Sequence, residues 1–301
     1  MARLLPLYPT PHIWLLCYNA WVVGVISVKK PEALQASTLR ILAIADHVEP
    51  QLYSTSMADW LSPVDLLISC GDLPPYYLDF LMTNLGAPLL HVLGNHCSAQ
   101  HNAQKQCDPE AYPGASNLNR RVQAIRLGDK MPRLVVAGLE GSPWYNNGPH
   151  QYTESQVARN LASMAPRLLL NKLLTGRYLD ILITHTPPRG IHDNPDKPHL
   201  GFTSLLTFLD RFKPALMLHG HTHHYDPALP TRTRYKNTEV INAYGHVLLE
   251  LVNMRDKAGW HLKPLVPSAK RPGEGAGRAQ VTAGGEIGPW KLQQSVCGAH
   301  G

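Results

Sequence analysis

Five apolar runs in this chain end in side chains that bind metal ions well. Asp46 follows the run at 39–45, Gly71-Asp72 the run at 64–70, and Gly94-Asn95-His96 the run at 87–93. His185 follows the run at 178–184, and Gly220-His221-Thr222-His223 closes the run at 214–220. Asp46, Asp72, Asn95, His185, His221 and His223 make a set of oxygen and nitrogen donors without thiolate. Such a set suits manganese, iron, zinc or cobalt and is too nitrogen-rich for calcium or a dedicated magnesium cage. It holds more donors than one catalytic ion needs if positions are to stay open for water and substrate. Two divalent ions about 3.5–4 Å apart, bridged by a carboxylate, use them all.

These residues are far apart in sequence, so the elements between them must bring them together. The runs LRILAIA (39–45), VDLLISC (64–70), APLLHVL (87–93), RLVVAGL (133–139), YLDILIT (178–184) and PALMLHG (214–220) have the length and composition of strands buried on both faces. Helices are expected at 74–84, at 153–174 behind a Thr153/Gln156 capping box, and at 203–212. Two further strands, 238–242 and 246–252, flank Tyr244-Gly245. Strands alternating with helices predict an α/β architecture with a layered sheet. In open α/β sheets ligands bind at the carboxyl ends of the strands, which is where the donors fall. Taken singly, an Asp after a strand is an ordinary helix cap and Gly-Asp an ordinary turn. The whole series, in this order and each at a strand end, marks a site.

A hydrophobic share of 44% excludes a disordered chain and a polytopic membrane protein. The formal charge of +6 is scattered, so no nucleic-acid partner is expected, while a small anionic substrate fits. The 5 cysteines include no C-x-x-C pair, so neither a zinc ribbon nor a disulfide framework is indicated. Residues 1–37 read as an extension whose role stays open. Its uncharged stretch 13–28 is short of the about 20 residues a spanning helix needs, and membrane contact is expected only if this segment anchors. Residues 38–265 form the expected domain, and the Gly/Pro-rich segment 266–301 is expected to be disordered. The expected location is cytoplasmic. The oligomeric state is not legible.

The blocks ILAIAD (41–46), CGD (70–72), GNH (94–96), ITHTPP (183–188) and GHTH (220–223) resemble the calcineurin-like metallophosphoesterase superfamily over about 39–252. The resemblance implies a four-layer α/β/β/α sandwich and a dinuclear, metal-dependent hydrolase of phosphate monoesters or diesters, with manganese the first metal to expect. It also implies residue roles. Asp72 bridges two ions, Asp46 and His223 complete the first, and Asn95, His185 and His221 complete the second. A metal-activated hydroxide attacks in line, and His96 serves as general acid. His199 and Arg189 are candidates to touch the phosphate of a small phosphorylated substrate. The loop 139–152 is a candidate wall opposite the metals.

Two positions depart from the family pattern. Val48 stands where the first motif usually has a His ligand, and Cys97 follows His96 where the family often has a carboxylate. His47 is adjacent to Val48, but neighbours along a strand face opposite ways, so an imidazole at 48 is expected to face the cavity and the first ion to be weakly held. The departures also allow a catalytically weakened, phosphoesterase-like interaction module, although such a module need not keep Asn95, His96, His185, His221 and His223 together. A nuclease fits less well, because the globular region leaves no room for a capping domain.

Overall fold

The computed structural model describes residues 37–61, 63–96, 113–129, 131–223, 230–253 and 259–263. The expected extension before Ser37 and the expected tail at 266–301, as well as Cys97 and His224, lie outside the described residues. The strands are β1 (Ser37–Ala45), β2 (Leu66–Ser69), β3 (Leu89–His91), β4 (Ala115–Asn117), β5 (Val122–Ile125), β6 (Leu134–Leu139), β7 (Ser142–Pro143), β8 (Gln151–Tyr152), β9 (Ile181–Thr184), β10 (Leu216–His219), β11 (Arg232–Tyr235), β12 (Thr238–Asn242), β13 (Gly245–Asn253) and β14 (Trp260–Leu262). The helices are α1 (Met57–Trp60), α2 (Pro75–Leu85), α3 (Glu154–Ser163), α4 (Ala165–Thr175) and α5 (Thr203–Phe212).

Two six-stranded sheets form, in the orders β14-β13-β1-β2-β3-β4 and β11-β12-β10-β9-β6-β5. The strands that end in donor residues are parallel to their neighbours β1–β2–β3 and β10–β9–β6. The side-chain period of two explains why each sheet is apolar on both faces. Ile41, Ala43 and Ala45 meet Ile181, Ile183, Leu216 and Leu218 in a core between the sheets. Their sequence neighbours Leu42 and Ile44 pack outward with Tyr77, Leu78 and Leu81 of α2. On the other side Leu182 and Met217 pack outward against Val157 and Leu161 of α3 and Leu205, Phe208 and Leu209 of α5. The result is the expected four-layer α/β/β/α sandwich.

The single helix expected at 153–174 is two helices. The capping box at Thr153 and Gln156 forms, but α3 ends at Ser163 and α4 starts at Ala165. Pro166 lacks the N–H that would bond back to the turn before it, so a continuous ladder is impossible there. The strands β4, β5, β7, β8, β11 and β14 were not anticipated, because their residues are mostly half-buried and form no continuous apolar run.

At the end of the sandwich away from the donor residues, one buried carboxylate ties the sheets together. Asp180, just before β9, accepts from Val135 N at 2.8 Å and from Trp260 N at 3.3 Å, and pairs with Arg177 Nε at 2.7 Å. Val135 belongs to one sheet and Trp260 to the other. Asp180→Ala strands a guanidinium and two backbone donors, and should cost about 3–5 kcal/mol. Urea unfolding of the variant checks this, and a loss under about 1 kcal/mol would show that water replaces the carboxylate.

Candidate metal centre

The turns leaving the strands are strained where they carry donors. Asp46, Asp72 and His221 have φ of 61°, 54° and 69°. Left-handed backbone at non-glycine residues persists only where surrounding structure enforces it, and it gathers at functional sites. Two glycines permit the close approach that follows. A Cβ on Gly94 would overlap the carboxylate of Asp72, and one on Gly220 would overlap that of Asp46. Asp46 N bonds to Gly71 O at 3.1 Å and His221 N to Asp46 Oδ2 at 2.8 Å, so the rims of the two sheets are joined through Asp46.

At this junction, ligand atoms of Asp46, Asp72 and His185 lie within 4.8 Å of one another. His185 Nδ1 sits 2.8 Å from the carbonyl of Cys70. A carbonyl only accepts, so Nδ1 carries a proton, and Nε2, which faces inward, is the position that a second proton or a cation occupies. That nitrogen is 3.2 Å from Asp72 Oδ2 and 3.2 Å from Asn95 Oδ1. Asn95 gives its Nδ2 to Tyr145 Oη at 3.3 Å, which leaves Oδ1 facing the ring. Asp72 Oδ1 accepts from His96 N at 3.0 Å, while Oδ2 is buried and has no hydrogen bond of its own. Two acceptor oxygens therefore face one ring nitrogen, and a proton on that nitrogen or a cation in its place satisfies them. Mixed carboxylate, amide and imidazole donors fit a divalent ion of the first transition row.

The electrostatics agree. Burial pushes Asp46 up to about 7, with Asp72 adding to the effect against His185. For His185, burial opposes the charge, but Asp72 and Asp46 outweigh it and lift the ring to about 9. Burial also works against the charged form of Asp72, yet His185 holds its carboxyl below the ordinary range. The group is short of positive charge, which a divalent cation supplies.

The remaining expected residues are distributed around this group. The ring of His221 is 4.8 Å from that of His185. Its Nε2 donates to Pro198 O at 2.7 Å, which leaves Nδ1 as the lone pair. His223 is exposed at the rim with its ring 5.0 Å from Tyr244. His96 is also exposed, its backbone fixed on Asp72. His199 ends a short 3-10 turn, Lys197–His199. Its ring lies 5.0 Å from His221, and its Nδ1 is 2.5 Å from Asp196. Arg189 lies in the same loop, tied through its backbone to Phe202 O at 3.2 Å, and among the described residues no contact links its guanidinium to the centre.

Val48 does not face the cavity. It packs with the apolar layer under α1 and α2. His47 instead stacks on Tyr244 with ring centroids 5.9 Å apart, beside His223. The reversal arises at Asp46, whose positive φ closes a three-residue turn, His47 N to Ala45 O at 2.6 Å, and so ends the strand alternation on which the sequence expectation rested.

Several supporting groups were invisible in sequence. Tyr145 comes from the loop 139–152 and does reach the centre. The same loop buries Glu140, which accepts from Tyr152 Oη at 2.6 Å and pairs with His150 Nδ1 at 3.0 Å. Behind the Gly220 turn, His219 Nδ1 donates to Gly220 O, His192 Nδ1 donates to His219 Nε2 at 2.9 Å, and Thr233 donates to His192 Nε2 at 2.8 Å. One carbonyl thus sets the tautomer of both rings. His219 stands next to the 221–223 motif, which was a signal, but His192 lies far upstream and nothing in the spacing showed that the two pair. Groups that orient a metal ligand are worth roughly 10–100-fold in metal affinity. Tyr145→Phe, which frees the Asn95 amide to rotate, should weaken metal binding by about tenfold in calorimetric titration of the metal-free protein. Unchanged affinity would mean that His185 alone orients the amide.

The calcineurin-like phosphoesterase family model matches residues 39–225. No curated protein sequence matches the chain. Among solved structures, TT1561 of Thermus thermophilus is 14% identical over 69% of this chain and 90% of its own, with a TM-score of 0.46. GAP50, the anchor in the inner membrane complex of Plasmodium, is 15% identical over 72% and 82%, with a TM-score of 0.44. A metallophosphoesterase from Sphaerobacter thermophilus is 17% identical over 74% and 87%, with a TM-score of 0.29. The family match runs from within β1 past the Gly-His-Thr-His turn and so takes in every strand end that carries a donor. The chain belongs to the calcineurin-like phosphoesterase family, whose members point to metal-dependent hydrolysis of phosphoesters.

Proposed function

We propose that this protein is a dinuclear hydrolase of phosphate monoesters or diesters. The observation that carries the reading is the convergence of ligand atoms of Asp72, Asn95 and His185 on one point between the two sheets. In this reading Asn95, His185, His221 through Nδ1, and Asp72 hold one ion. Asp72 is shared with a second ion that Asp46 and His223 complete. Divalent ions at these positions would offset phosphoryl charge and bring the pKa of a bound water toward about 7. Manganese is the first candidate, with iron, zinc and cobalt as alternatives.

The chain's own groups do the rest. His96 is held beside the shared carboxylate by its backbone bond to Asp72, and its exposed ring is free to give a proton to the departing oxygen. Asp196 orients His199 through Nδ1, leaving Nε2 for a phosphoryl oxygen. Arg189, in the same loop, is the second candidate for that contact. Lys197 lies over the Trp144 ring at 4.9 Å, so the loops carrying Tyr145 and His199 brace one another.

Metal analysis followed by assays on p-nitrophenyl phosphate and bis-p-nitrophenyl phosphate with added manganese tests the reading, and the ratio of rates decides monoester or diester. Chelation should abolish the activity, and manganese should restore it. Asp72→Asn should remove metal-dependent hydrolysis, by at least about 10³-fold, with circular dichroism unchanged, because a neutral amide does not hold two cations together. Retained activity would take Asp72 out of the shared role.

Metal loading should be biphasic, the site with Asn95, His185 and His221 filling before the site at Asp46. Because Val48 packs into the α1–α2 layer, Val48→His should leave the weaker phase of a calorimetric titration unchanged and lower stability by about 1–3 kcal/mol. A tightened second phase would mean that position 48 does reach the cavity.

A further inference from the structure

The outer surface of α4 is apolar where a helix on a protein surface is normally polar. Leu169, Leu170, Leu173 and Leu174 are 48%, 44%, 82% and 73% exposed, while Leu168 alone among the helix's residues is fully buried toward the core. At 3.6 residues per turn, 169 and 173 stack along one row and 170 and 174 along the next, so the four make one continuous stripe. Scattered exposed leucines are ordinary, but a contiguous stripe marks an interaction surface.

The charges beside the stripe indicate the kind of partner. Arg167 borders the Leu170/Leu174 edge and Lys172 borders the Leu169 edge. Both are exposed, and α4 has no acidic residue. Among the described residues, neither Arg167 nor Lys172 is paired with an acid; Lys172 reaches only the Gly176 carbonyl and the Tyr178 ring. A second copy of this chain is a poor match. A two-fold contact places the same patch on itself, basic edge against basic edge. Four leucines are also far from the roughly 20–30 residues a side that a stable interface uses. An apolar stripe with basic flanks is instead the pattern of helices that lie in the boundary of an anionic bilayer, with the aliphatic stems of Lys and Arg reaching out to the headgroups.

We propose that the outer face of α4 docks on an anionic lipid surface, with Leu169, Leu170, Leu173 and Leu174 entering the acyl boundary and Arg167 and Lys172 meeting the headgroups. The patch sits on the outer helical layer, whereas the donors sit at strand ends, so docking leaves the centre's residues untouched. This inference does not depend on the proposed chemistry.

The full chain is to be sedimented with vesicles of phosphatidylcholine alone and with phosphatidylglycerol added. Binding is expected to the anionic vesicles, to weaken in high salt, and to be at least about tenfold weaker without anionic lipid. Leu173→Ser with Leu174→Ser should weaken it by at least about tenfold, with an unchanged thermal melt because both side chains are already in water. Arg167→Gln with Lys172→Gln keeps the leucines and should lose the preference for phosphatidylglycerol. Three results overturn the inference: no vesicle binding by the unaltered chain; equal binding by the leucine variant, which would assign the contact elsewhere, for example to the apolar segment 13–28; or a dimer in sedimentation equilibrium that the leucine variant converts to monomer.

Discussion

Asp72 and Asn95 each set an oxygen 3.2 Å from His185 Nε2, Asp46 brings a second carboxylate within 4.8 Å of Asp72 and His185, and the surrounding structure must hold these groups together. Without a cation or a shared proton, the arrangement costs free energy. The fold meets that cost by making the strand ends rigid. Cys70 N bonds to Ile44 O, Val92 N to Ser69 O and Gly220 N to His185 O, so adjacent strands of each sheet are paired up to the residue that carries or precedes a donor. Asp46 then joins the two rims by accepting from His221 N. Behind the rim lies the core between the sheets, where side chains such as Ala43, Ala45, Ile68 and Ile183 are wholly buried and leave no slack.

Around this frame, carbonyl oxygens decide which nitrogen of each imidazole is available. Cys70 O takes the Nδ1 proton of His185, and Pro198 O takes the Nε2 proton of His221, so the two rings expose different nitrogens. The second arrangement depends on a built loop. Asp193 accepts from Gly190 N at 2.9 Å and from Gly201 N at 3.0 Å, which pins the segment that carries Pro198 and His199. Tyr145 does for Asn95 what the carbonyls do for the histidines. The donors are therefore pre-organised by groups that never touch an ion, which is how affinity is set without changing a ligand.

Stability and chemistry occupy opposite ends of the sandwich. Asp180 and Arg177 stitch the sheets where the strands enter, and the strained turns with positive φ at Asp46, Asp72 and His221 sit where they leave. Strain at one end is tolerated because the other end and the core over-determine the strand positions. The outer helices are a third region, and α4 shows that they are not simply a solvated cover.

The central strands, their α/β arrangement and the donors that end five of the six apolar runs were legible in sequence, because apolar runs of strand length and the residue types that follow them are local properties. The capping box at Thr153 was legible for the same reason, and Pro166 could have been read as the break it is. The choice between His47 and Val48 was not legible. Strand alternation holds only while the backbone stays extended, and the turn at Asp46 ends it one residue early. Nor could spacing reveal that Tyr145 would orient Asn95, that His192 would pair with His219, or that Pro198 would select the nitrogen of His221. Each of these is a contact between loops whose paths depend on how two sheets pack. Sequence by itself determined which atoms could bind a cation; tertiary structure decided which of them meet and with which lone pair, because hydrogen-bond geometry across the rim is set by packing rather than by chain order.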